Sequence, residues 1–335
     1  MTENIAPRAL NFFPSKKFDP HTGYGKFEVS LYNALVEQGV TVHLPDSSGW
    51  NTAEHTLLVG NPSWIPYANI PGKVWLWTMI ETNTLSQKWV KLINDNCAGV
   101  IVSAPDLVDI FNVCGVKCPV HFVPLGVDFH VPELVKRTKS NPFTFLSYTY
   151  GDMRKAAELV LLAFNRMFGG SKEFRLILKS RGEGHWVRGL QHDQIDVIEE
   201  KLSESDWQAL LARAHCMVFP SRGEGFGLPP REATLSGMPA IATKWLGMYD
   251  ADLWGYPLRV RELRPAIFDD WDANEEGSLW AEPDFHVMME LMLHVYNNYD
   301  EALKVAEGGR EYLLKYHRWN SIARHALLTM GVEYG

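Results

Sequence analysis

Short apolar runs alternate with amphipathic stretches along most of this chain, and that alternation limits the fold more than any other feature. A short apolar run is typical of a buried strand, whereas an amphipathic stretch is typical of a helix packed against a sheet. Because strands that alternate with helices form mostly parallel sheets covered by helices, the pattern predicts an α/β fold. The runs that we interpret as strands are residues 8–13, 41–45, 56–60, 73–79, 99–104, 120–126, 143–149, 174–180, 216–221 and 239–245.

The length of the chain predicts more than one such sheet. At 335 residues it is long enough for two domains of ordinary size, each with its own core. Residues 127–142 combine prolines with charged residues and little periodicity, so we interpret them as a linker. We therefore expect two Rossmann-like doubly wound domains that face each other across a cleft, the first over residues 1–130 and the second over residues 141–315.

Composition excludes several classes of protein. Apolar residues make up 46% of the chain, as in a globular protein, and no apolar run approaches the roughly 18 residues of a membrane span. The N-terminus lacks a basic region followed by an apolar stretch, so we expect no transmembrane segment, no secretory signal and a cytoplasmic location. The net charge of −8 disfavours nonspecific binding to duplex nucleic acid. The four cysteines lack the spacing of a metal site, and we interpret them as reduced and mostly buried thiols.

Basic residues and tryptophans form local clusters that have ordinary structural explanations. The basic residues are most simply solvated surface, and tryptophans are more often core than ligand platforms, although their faces suit sugar rings and bases. The basic residues are Lys16, Lys17 and Lys26 near the N-terminus and Lys136, Arg137 and Lys139 in the linker. The tryptophans are Trp64, Trp75, Trp77 and Trp89.

Residues 216–240 have the order strand, glycine loop and helix start. The apolar run Cys216–Ser221 precedes three glycines, and Pro229 and Pro230 stand where a helix favours proline in its first turn. At the carboxyl end of a parallel strand, unpaired N–H groups and the helix dipole together favour an anion. The glycines, which let the backbone approach that anion without a Cβ, are Gly223, Gly225 and Gly227.

Two carboxylates in the same segment indicate a ligand with hydroxyl groups as well as an anion. Glu224 and Glu232 are separated by seven residues. A bare phosphate gains nothing from two negative side chains, whereas a carboxylate accepts hydrogen bonds from the hydroxyls of a sugar or ribose. A sugar nucleotide supplies both groups. The alternative is that Glu224 ends a surface turn and Glu232 only occupies a first helical turn, where acids are favourable anyway.

The string EGFGLPPREATLSGMPAIAT, residues 224–243, resembles the signature of retaining glycosyltransferases of GT-B architecture, of the group 1 or family 4-like type. That group includes glycogen synthases, sucrose synthases and many bacterial enzymes that build glycans. Four further segments resemble the family in the same order along the chain, which makes accidental similarity a poor explanation. They are residues 21–44, 121–132, 147–164 and 316–328.

The resemblance implies the roles of individual residues in the second domain. Arg154 and Lys155 match the basic pair that neutralises the leaving diphosphate, a task that needs no metal ion in this family. Glu224 would accept a hydrogen bond from a hydroxyl of the transferred sugar, and Glu232 from the ribose. The loop residues expected to bind the donor through backbone N–H groups or to line the nucleotide pocket are Gly225, Phe226, Gly227 and Leu228. Ala156 departs from the family, which commonly has Gly or Asn there.

The resemblance also implies roles in the first domain. Gly23 and Gly25 form its glycine loop, whose following helix N-terminus could face the diphosphate. A closing helix over about residues 316–335 is expected to return to this domain and complete it. The family often has a first-domain histidine near the donor sugar, which cannot be assigned here. The polar residues in about the right region, on the side expected to face the acceptor, are Thr78, Glu81 and Thr82.

The leading hypothesis is a retaining, metal-independent transferase that moves a hexose from a nucleoside diphosphate sugar to a hydroxyl of a glycan or glycolipid, with no other cofactor. One alternative keeps the chemistry but uses a hydroxylated base in phage DNA as the acceptor. A second alternative, from another class, is a sugar-nucleotide-binding module without turnover. Asp270 and Asp272 spell the D-x-D of metal-dependent transferases, but we interpret them as an acidic loop, and His185 as a loop residue. The sequence does not specify an oligomeric state.

Overall fold

A computed structural model describes residues 9–19, 22–46, 49–65, 67, 69–128, 131–149, 153–180, 192–267 and 277–332. The chain divides into two compact units. The first unit combines Met1–Phe129 with Tyr316–Gly335, and the second unit is His130–Lys315. Each unit contains a parallel six-stranded sheet with helices between its strands, which confirms the predicted α/β fold class.

The sheet of the first unit has the strand order β2-β1-β3-β4-β5-β6, and every pairing in it is parallel. Its strands are β1 (Ala9–Pro14), β2 (Thr41–His43), β3 (His55–Val59), β4 (Lys73–Thr78), β5 (Gly99–Val102) and β6 (Val120–Phe122). The connecting helices are α1 (Gly23–Glu37), α2 (Gln87–Asn96) and α3 (Pro105–Val113). Local sequence sets the helix starts, since Thr22 and Ser86 cap α1 and α2 with their hydroxyls and Pro105 occupies the first position of α3.

The sheet of the second unit has the order β12-β11-β10-β7-β8-β9, again with parallel pairings, and a two-stranded antiparallel ribbon accompanies it. The sheet strands are β7 (Phe143–Thr149), β8 (Phe174–Ser180), β9 (Ile195–Ile198), β10 (Cys216–Phe219), β11 (Ala240–Thr243) and β12 (Tyr256–Leu258). The ribbon is β13 (Val260–Pro265) and β14 (Leu279–Pro283). The helices are α4 (Ala157–Phe168), α5 (Glu204–Arg213), α6 (Leu228–Leu235), α7 (Ala251–Trp254), α8 (Phe285–Asn297) and α9 (Tyr299–Tyr316).

A phenylalanine-rich core holds this second sheet to its helices. Phe143 and Phe145 on β7 pack edge to face, with ring centroids 5.1 Å apart. Phe168 on α4 stacks on Phe145 at 5.5 Å and on Phe174 of β8 at 4.1 Å. Aromatic pairs of this kind add about 0.5–1.5 kcal/mol each beyond the burial of their area. The core thus fixes the positions at which β7 and its neighbours end.

The C-terminal helix, α10 (Trp319–Met330), belongs to the first unit. Trp319 stacks on Phe27 of α1 with ring centroids 5.5 Å apart, and its backbone N–H donates to the Asp128 carboxylate at 2.7 Å. Asp128 thereby supplies the cap that Arg318 at the helix start does not provide. His317 contacts the Leu125 carbonyl at 3.0 Å. These contacts fasten the end of the chain to the segment that follows β6.

All ten predicted strands are present, whereas β9, β12, β13 and β14 were missed. The two missed sheet strands are the edges of their sheet, where burial is incomplete and the apolar signal is weak. Pro257 interrupts β12, which is tolerated at an edge because an edge residue need not donate to the ladder. The antiparallel ribbon is rich in charge on β13 and therefore lacks an apolar run.

Three other expectations need correction. Arg137 is buried, only 9% exposed, and donates to Ser236 Oγ at 2.9 Å and to the Ala214 carbonyl at 2.5 Å, so it is not a solvated surface residue. Only Cys216 is fully buried; the other three cysteines are partly exposed, and all four are free. Trp64 is half-buried, with the Lys16 ammonium 3.5 Å from its ring centroid, while the other three clustered tryptophans are core. Within the described ranges, no helix is long and apolar enough to cross a membrane.

Candidate active site

The glycine loop, residues 223–227, joins β10 to α6. Gly227 caps the helix in the left-handed region at φ +76°, and a Cβ there would lie 2.8 Å from Met248 Cγ. Glycine is therefore required at this position for both its conformation and its size. Pro229 and Pro230 follow in the first turn, as predicted. The N–H groups at the start of α6 thus follow directly from the carboxyl end of a central strand, which is the arrangement that favours anions.

Glu224 lies in this loop, in direct contact with the basic pair that follows β7. Its Oε1 forms an ion pair with Lys155 Nζ and another with Arg154 Nη1 at 3.3 Å, and it accepts a hydrogen bond from Ser221 Oγ at 2.6 Å. Glu224 is 6% exposed and Lys155 is 7% exposed. The structure therefore brings together the three residues that the sequence assigned to catalysis.

The neighbours of Glu224 keep its carboxylate ionised within this cluster. Burial raises the pKa of the Glu224 carboxyl, but Lys155, Arg154 and the hydrogen bonds from Lys155 and Ser221 outweigh burial and hold that pKa below its usual range. Glu224 is consequently ionised at neutral pH. Glu224 thus has two cationic partners, Lys155 and Arg154.

Arg222 fixes the turn that carries the basic pair, and sequence reasoning missed it. Its backbone N–H donates to the Arg154 carbonyl at 2.7 Å, and its guanidinium donates to the Met153 carbonyl. The same guanidinium, 2% exposed, pairs with Glu282 and Glu158, each at 2.6 Å. The sequence did contain a signal for Arg222, which is a cation directly after an apolar strand. An arginine in such a place is seldom buried unless it has partners, so its position could have indicated an ion pair.

Ala156 follows the basic pair in the left-handed region, at φ 50° and with no exposure. Gly and Asn tolerate the left-handed conformation better than Ala does. This explains why the family that the sequence resembles commonly has Gly or Asn at the position of Ala156. The substitution leaves the turn intact. Lys155 lies immediately before it and still reaches Glu224.

Glu232 has a different environment from Glu224. Its Oε2 accepts a hydrogen bond from Trp207 Nε1, a neutral donor, at 2.7 Å. The Trp207 ring packs edge-on against Tyr148, with centroids 5.8 Å apart. Trp207 on α5 was not singled out from the sequence, because its contact to α6 depends on the tertiary fold.

The remaining loop residues differ in what they can present to a ligand. Phe226 is 3% exposed and its ring packs under the Arg231 guanidinium, so only its backbone is available. Gly225 and Leu228 are partly exposed. The Gly247 N–H donates to the Glu224 carbonyl at 3.1 Å, which ties the loop to the segment after β11.

In the first unit, Gly23 and Gly25 do not form the expected loop before the helix, because both lie in the first turn of α1. The two glycines serve different needs. A Cβ on Gly25 would lie 1.7 Å from the Asp19 carbonyl oxygen, so this glycine is required by local packing. A Cβ on Gly23 would have no atom within 4 Å. Thr22 Oγ1 accepts from the Gly25 N–H at 2.9 Å. Only the Gly23 position therefore has space beside it.

The three acceptor-side candidates lie at and just beyond the end of β4. Thr78 and Thr82 are buried, and the Thr82 hydroxyl donates to the Thr84 carbonyl at 3.0 Å, while Glu81 is half-buried. Tyr24 of α1, which sequence reasoning missed, accepts a hydrogen bond from the Met79 N–H at 3.2 Å. It therefore ties the turn that contains Glu81 to the start of α1.

His185, Asp270 and Asp272 lie outside the described residues. Within the described part of the chain, no group of three or more His, Cys, Asp or Glu residues could hold a metal ion.

GT-B glycosyltransferases have parallel doubly wound sheets of this kind, in which a glycine loop joins the carboxyl end of a strand to a helix. Among the solved structures that share the fold, two cover nearly all of this chain. Sucrose-phosphate synthase from Thermosynechococcus elongatus is 13% identical, with a TM-score of 0.73, over 96% of this chain and 98% of its own. HepE from Anabaena, in complex with UDP and glucose, is 12% identical, with a TM-score of 0.71, over 97% of this chain and 99% of its own.

Sequence comparison finds a family match within the second unit. Residues 143–253 match the family described as glycosyl transferases group 1, and this stretch contains the basic pair, the glycine loop and both glutamates. The chain is also 23% identical over 224 residues to the MMP alpha-(1->4)-mannosyltransferase of Mycolicibacterium hassiacum, covering 66% of this chain. It spans 50% of the length of that relative.

Proposed function

We propose that this protein is a glycosyltransferase that moves a hexose from a nucleoside diphosphate sugar to a hydroxyl acceptor, with retention of anomeric configuration and without a metal ion. The proposal depends chiefly on one observation. Glu224 is a buried, ionised carboxylate held by Lys155 and Arg154 beside the N-terminus of α6. A sugar diphosphate fits a site that has two cations, the backbone N–H groups of a helix start, and a carboxylate that can accept hydrogen bonds from sugar hydroxyls.

Each of these groups has a task in the reaction. The bond from the anomeric carbon to the diphosphate breaks, the bond to the acceptor oxygen forms, and the acceptor proton passes to an oxygen of the departing phosphate. Negative charge that develops on the leaving group meets Arg154, Lys155 and the N–H groups of the glycine loop. Because Glu224 already holds Arg154 and Lys155 in place, these cations need little reorganisation during the reaction. Glu224 accepts a hydrogen bond from a hydroxyl of the transferred sugar.

The nucleoside end of the donor is assigned to Glu232. Its carboxylate accepts the ribose hydroxyls, and the hydrogen bond from Trp207 restricts its side chain to one orientation. Fixing a side chain before the ligand arrives reduces the entropy lost on binding.

The compared proteins support a sugar nucleotide as the donor. The HepE structure contains UDP and glucose, and the matched relative is a mannosyltransferase. For the acceptor we propose a glycan or glycolipid hydroxyl that meets the first unit, with Glu81 and its neighbours Thr78 and Thr82 as candidates for contact.

A donor panel tests the proposal. The protein is incubated with UDP-, GDP- and ADP-linked glucose and mannose in the presence of EDTA, and nucleotide release is measured. Release with at least one donor is expected. Binding without release for every donor would favour the inactive module, and a requirement for added divalent ions would contradict the metal-independent part.

The acceptor and the stereochemistry need separate measurements. Lipid-linked glycans and hydroxymethylated DNA are incubated with the active donor and analysed by mass spectrometry. A hexose on the glycan supports the proposal, whereas a hexose on the DNA base would establish the alternative acceptor. The anomeric proton coupling of the product, measured by NMR, should match that of the donor, and an inverted coupling would refute retention.

A further inference from the structure

Arg231 is a fully buried cation in the first turns of α6, directly beneath the glycine loop. It has no exposure, and its Nη1 donates to the carbonyl oxygens of Phe226 and Gly227, the second at 3.3 Å. Its Nη2 donates to the Gly247 carbonyl at 3.1 Å and pairs with Asp250. A buried arginine that donates to three backbone carbonyls is held in one position by all of them.

Asp250 completes this arrangement. The ion pair between its Oδ1 and Arg231 has no exposure on either side, and the same oxygen accepts from Trp254 Nε1 at 2.9 Å. The pair is electrically neutral as a unit, so it offers no net charge to an anionic ligand. Its effect on a ligand must therefore be exerted through the backbone that it holds.

The geometry of the peptide group determines that effect. In a planar trans peptide the N–H and the C=O of the same unit point in opposite directions. The Phe226 carbonyl shares its peptide with the Gly227 N–H, and the Gly227 carbonyl shares its peptide with the Leu228 N–H. Because Arg231 holds both carbonyls on its own side, both N–H groups are directed away from it. These are the N–H groups at the start of α6.

We propose that Arg231, held in place by Asp250, is a positioning residue that aims the N–H groups of Gly227 and Leu228 at the diphosphate of the donor. This inference rests on the proposed function, since it assigns a ligand group to those N–H groups. The contact between Gly247 and Glu224 gives the arrangement a second consequence. Arg231 also holds the Gly247 carbonyl, so it restrains the residue whose N–H donates to the Glu224 backbone at 3.1 Å.

Two variants separate positioning from stability. In R231M/D250N, Met fills the space of the arginine stem, and Asn keeps an oxygen for Trp254 Nε1. Neutralising both partners avoids the uncompensated buried charge that makes removal of only one partner strongly destabilising. The second variant, R231K, keeps the charge but cannot reproduce the planar fork that reaches several oxygens.

A matched control is available at the other end of the same helix. Arg137 is also buried, and it donates to the Ser236 side chain and the Ala214 carbonyl, at the end of α6 opposite the glycine loop. R137M removes a buried guanidinium from the same unit without touching the glycine loop. It therefore reports what the loss of a buried arginine does in general.

The experiment measures the Kd of UDP, GDP and ADP by calorimetry, and backbone hydrogen exchange at residues 225–228 without ligand. Folding of each variant is checked by cooperative thermal unfolding. For the nucleotide that the wild type binds, R231M/D250N and R231K should raise the Kd about 10- to 100-fold, since two charge-assisted hydrogen bonds are misaligned. Exchange at residues 225–228 should accelerate in both, and R137M should leave both measurements near those of the wild type.

Either of two results overturns the inference: a folded variant with Kd and exchange within about twofold of the wild type, or an equal rise in Kd for R137M. If the wild type binds none of the three nucleotides, the proposed function fails. Hydrogen exchange then still decides whether Arg231 positions the loop, because that measurement needs no ligand.

Discussion

The replacement Glu224→Gln separates the charge of the buried cluster from its shape. Gln keeps an oxygen that can accept from Ser221 Oγ and from Lys155, so the hydrogen-bond geometry is retained. What disappears is the negative charge that compensates Lys155 and Arg154, whose side chains are 8% and 11% exposed. Breaking a buried ion pair by neutralising one partner costs about 3–5 kcal/mol.

We therefore expect the unfolding free energy of the second unit to fall by about 3 kcal/mol, which corresponds to a Tm lower by about 6–12 °C for a domain of this size. Added nucleoside diphosphate should recover more of the Tm in the variant than in the wild type, because the diphosphate replaces the missing negative charge. Turnover should fall by about 100-fold or more, while the Kd of the nucleotide stays the same or improves. Differential scanning fluorimetry and nucleotide release measure these quantities.

The matched control is Glu232→Gln, since this carboxylate belongs to the same motif but accepts a hydrogen bond from a neutral donor, Trp207 Nε1. This replacement should change the free energy of unfolding by no more than about 1 kcal/mol, and it should weaken nucleotide binding. An unchanged turnover in Glu224→Gln would remove Glu224 from the active site. A Kd that rises in parallel with the loss of turnover would refute its assignment to the sugar.

The same carboxylate makes stability depend on pH. The folded pKa of Glu224 lies below its unfolded value of about 4.3, so its ionised form stabilises the fold above that pH. As the pH falls through the folded pKa, this stabilisation is lost. Urea unfolding should therefore show a gap in stability between wild type and Glu224→Gln at pH 7 that narrows as the pH falls through the folded pKa of Glu224. A gap independent of pH would mean that packing, and not charge, sets the difference.

Two further predictions concern the surroundings of the site. Trp207→Phe keeps most of the ring but removes the donor to Glu232, so the KM for the donor should rise about 3- to 10-fold with kcat nearly unchanged, and an unchanged KM would contradict the assigned role of Trp207. Gly25→Ala should lower the unfolding free energy by about 2 kcal/mol or more because its Cβ meets Asp19, whereas Gly23→Ala should leave stability within about 0.5 kcal/mol. Equal effects in thermal unfolding would refute the distinction between the two glycines.

Sequence patterns predicted the features that depend on residues close together in the chain. The apolar runs located every central strand, and the glycine loop followed by paired prolines located the start of α6. The edge strands of the second sheet, β9 and β12, were missed because an edge is only half covered and need not be apolar. The residues that support the site from other elements were missed for a different reason. Arg222, Arg231 and Trp207 have partners on other elements, and no spacing along the chain reveals such a contact.

The fold also explains why Glu224, in the glycine loop, contacts Arg154, which lies 70 residues earlier in the chain. β7 and β10 are neighbours in the parallel sheet, with Phe145 opposite Cys216 and Leu146 opposite Met217. Parallel neighbours in register end at the same edge, so the turn after β7 and the loop after β10 must emerge side by side. The ion pairs of Glu224 follow from that register, and a shift of the pairing would separate the cations from the carboxylate. The chemistry that we assign to the site therefore depends on the central strands more than on the sequence of the loop alone.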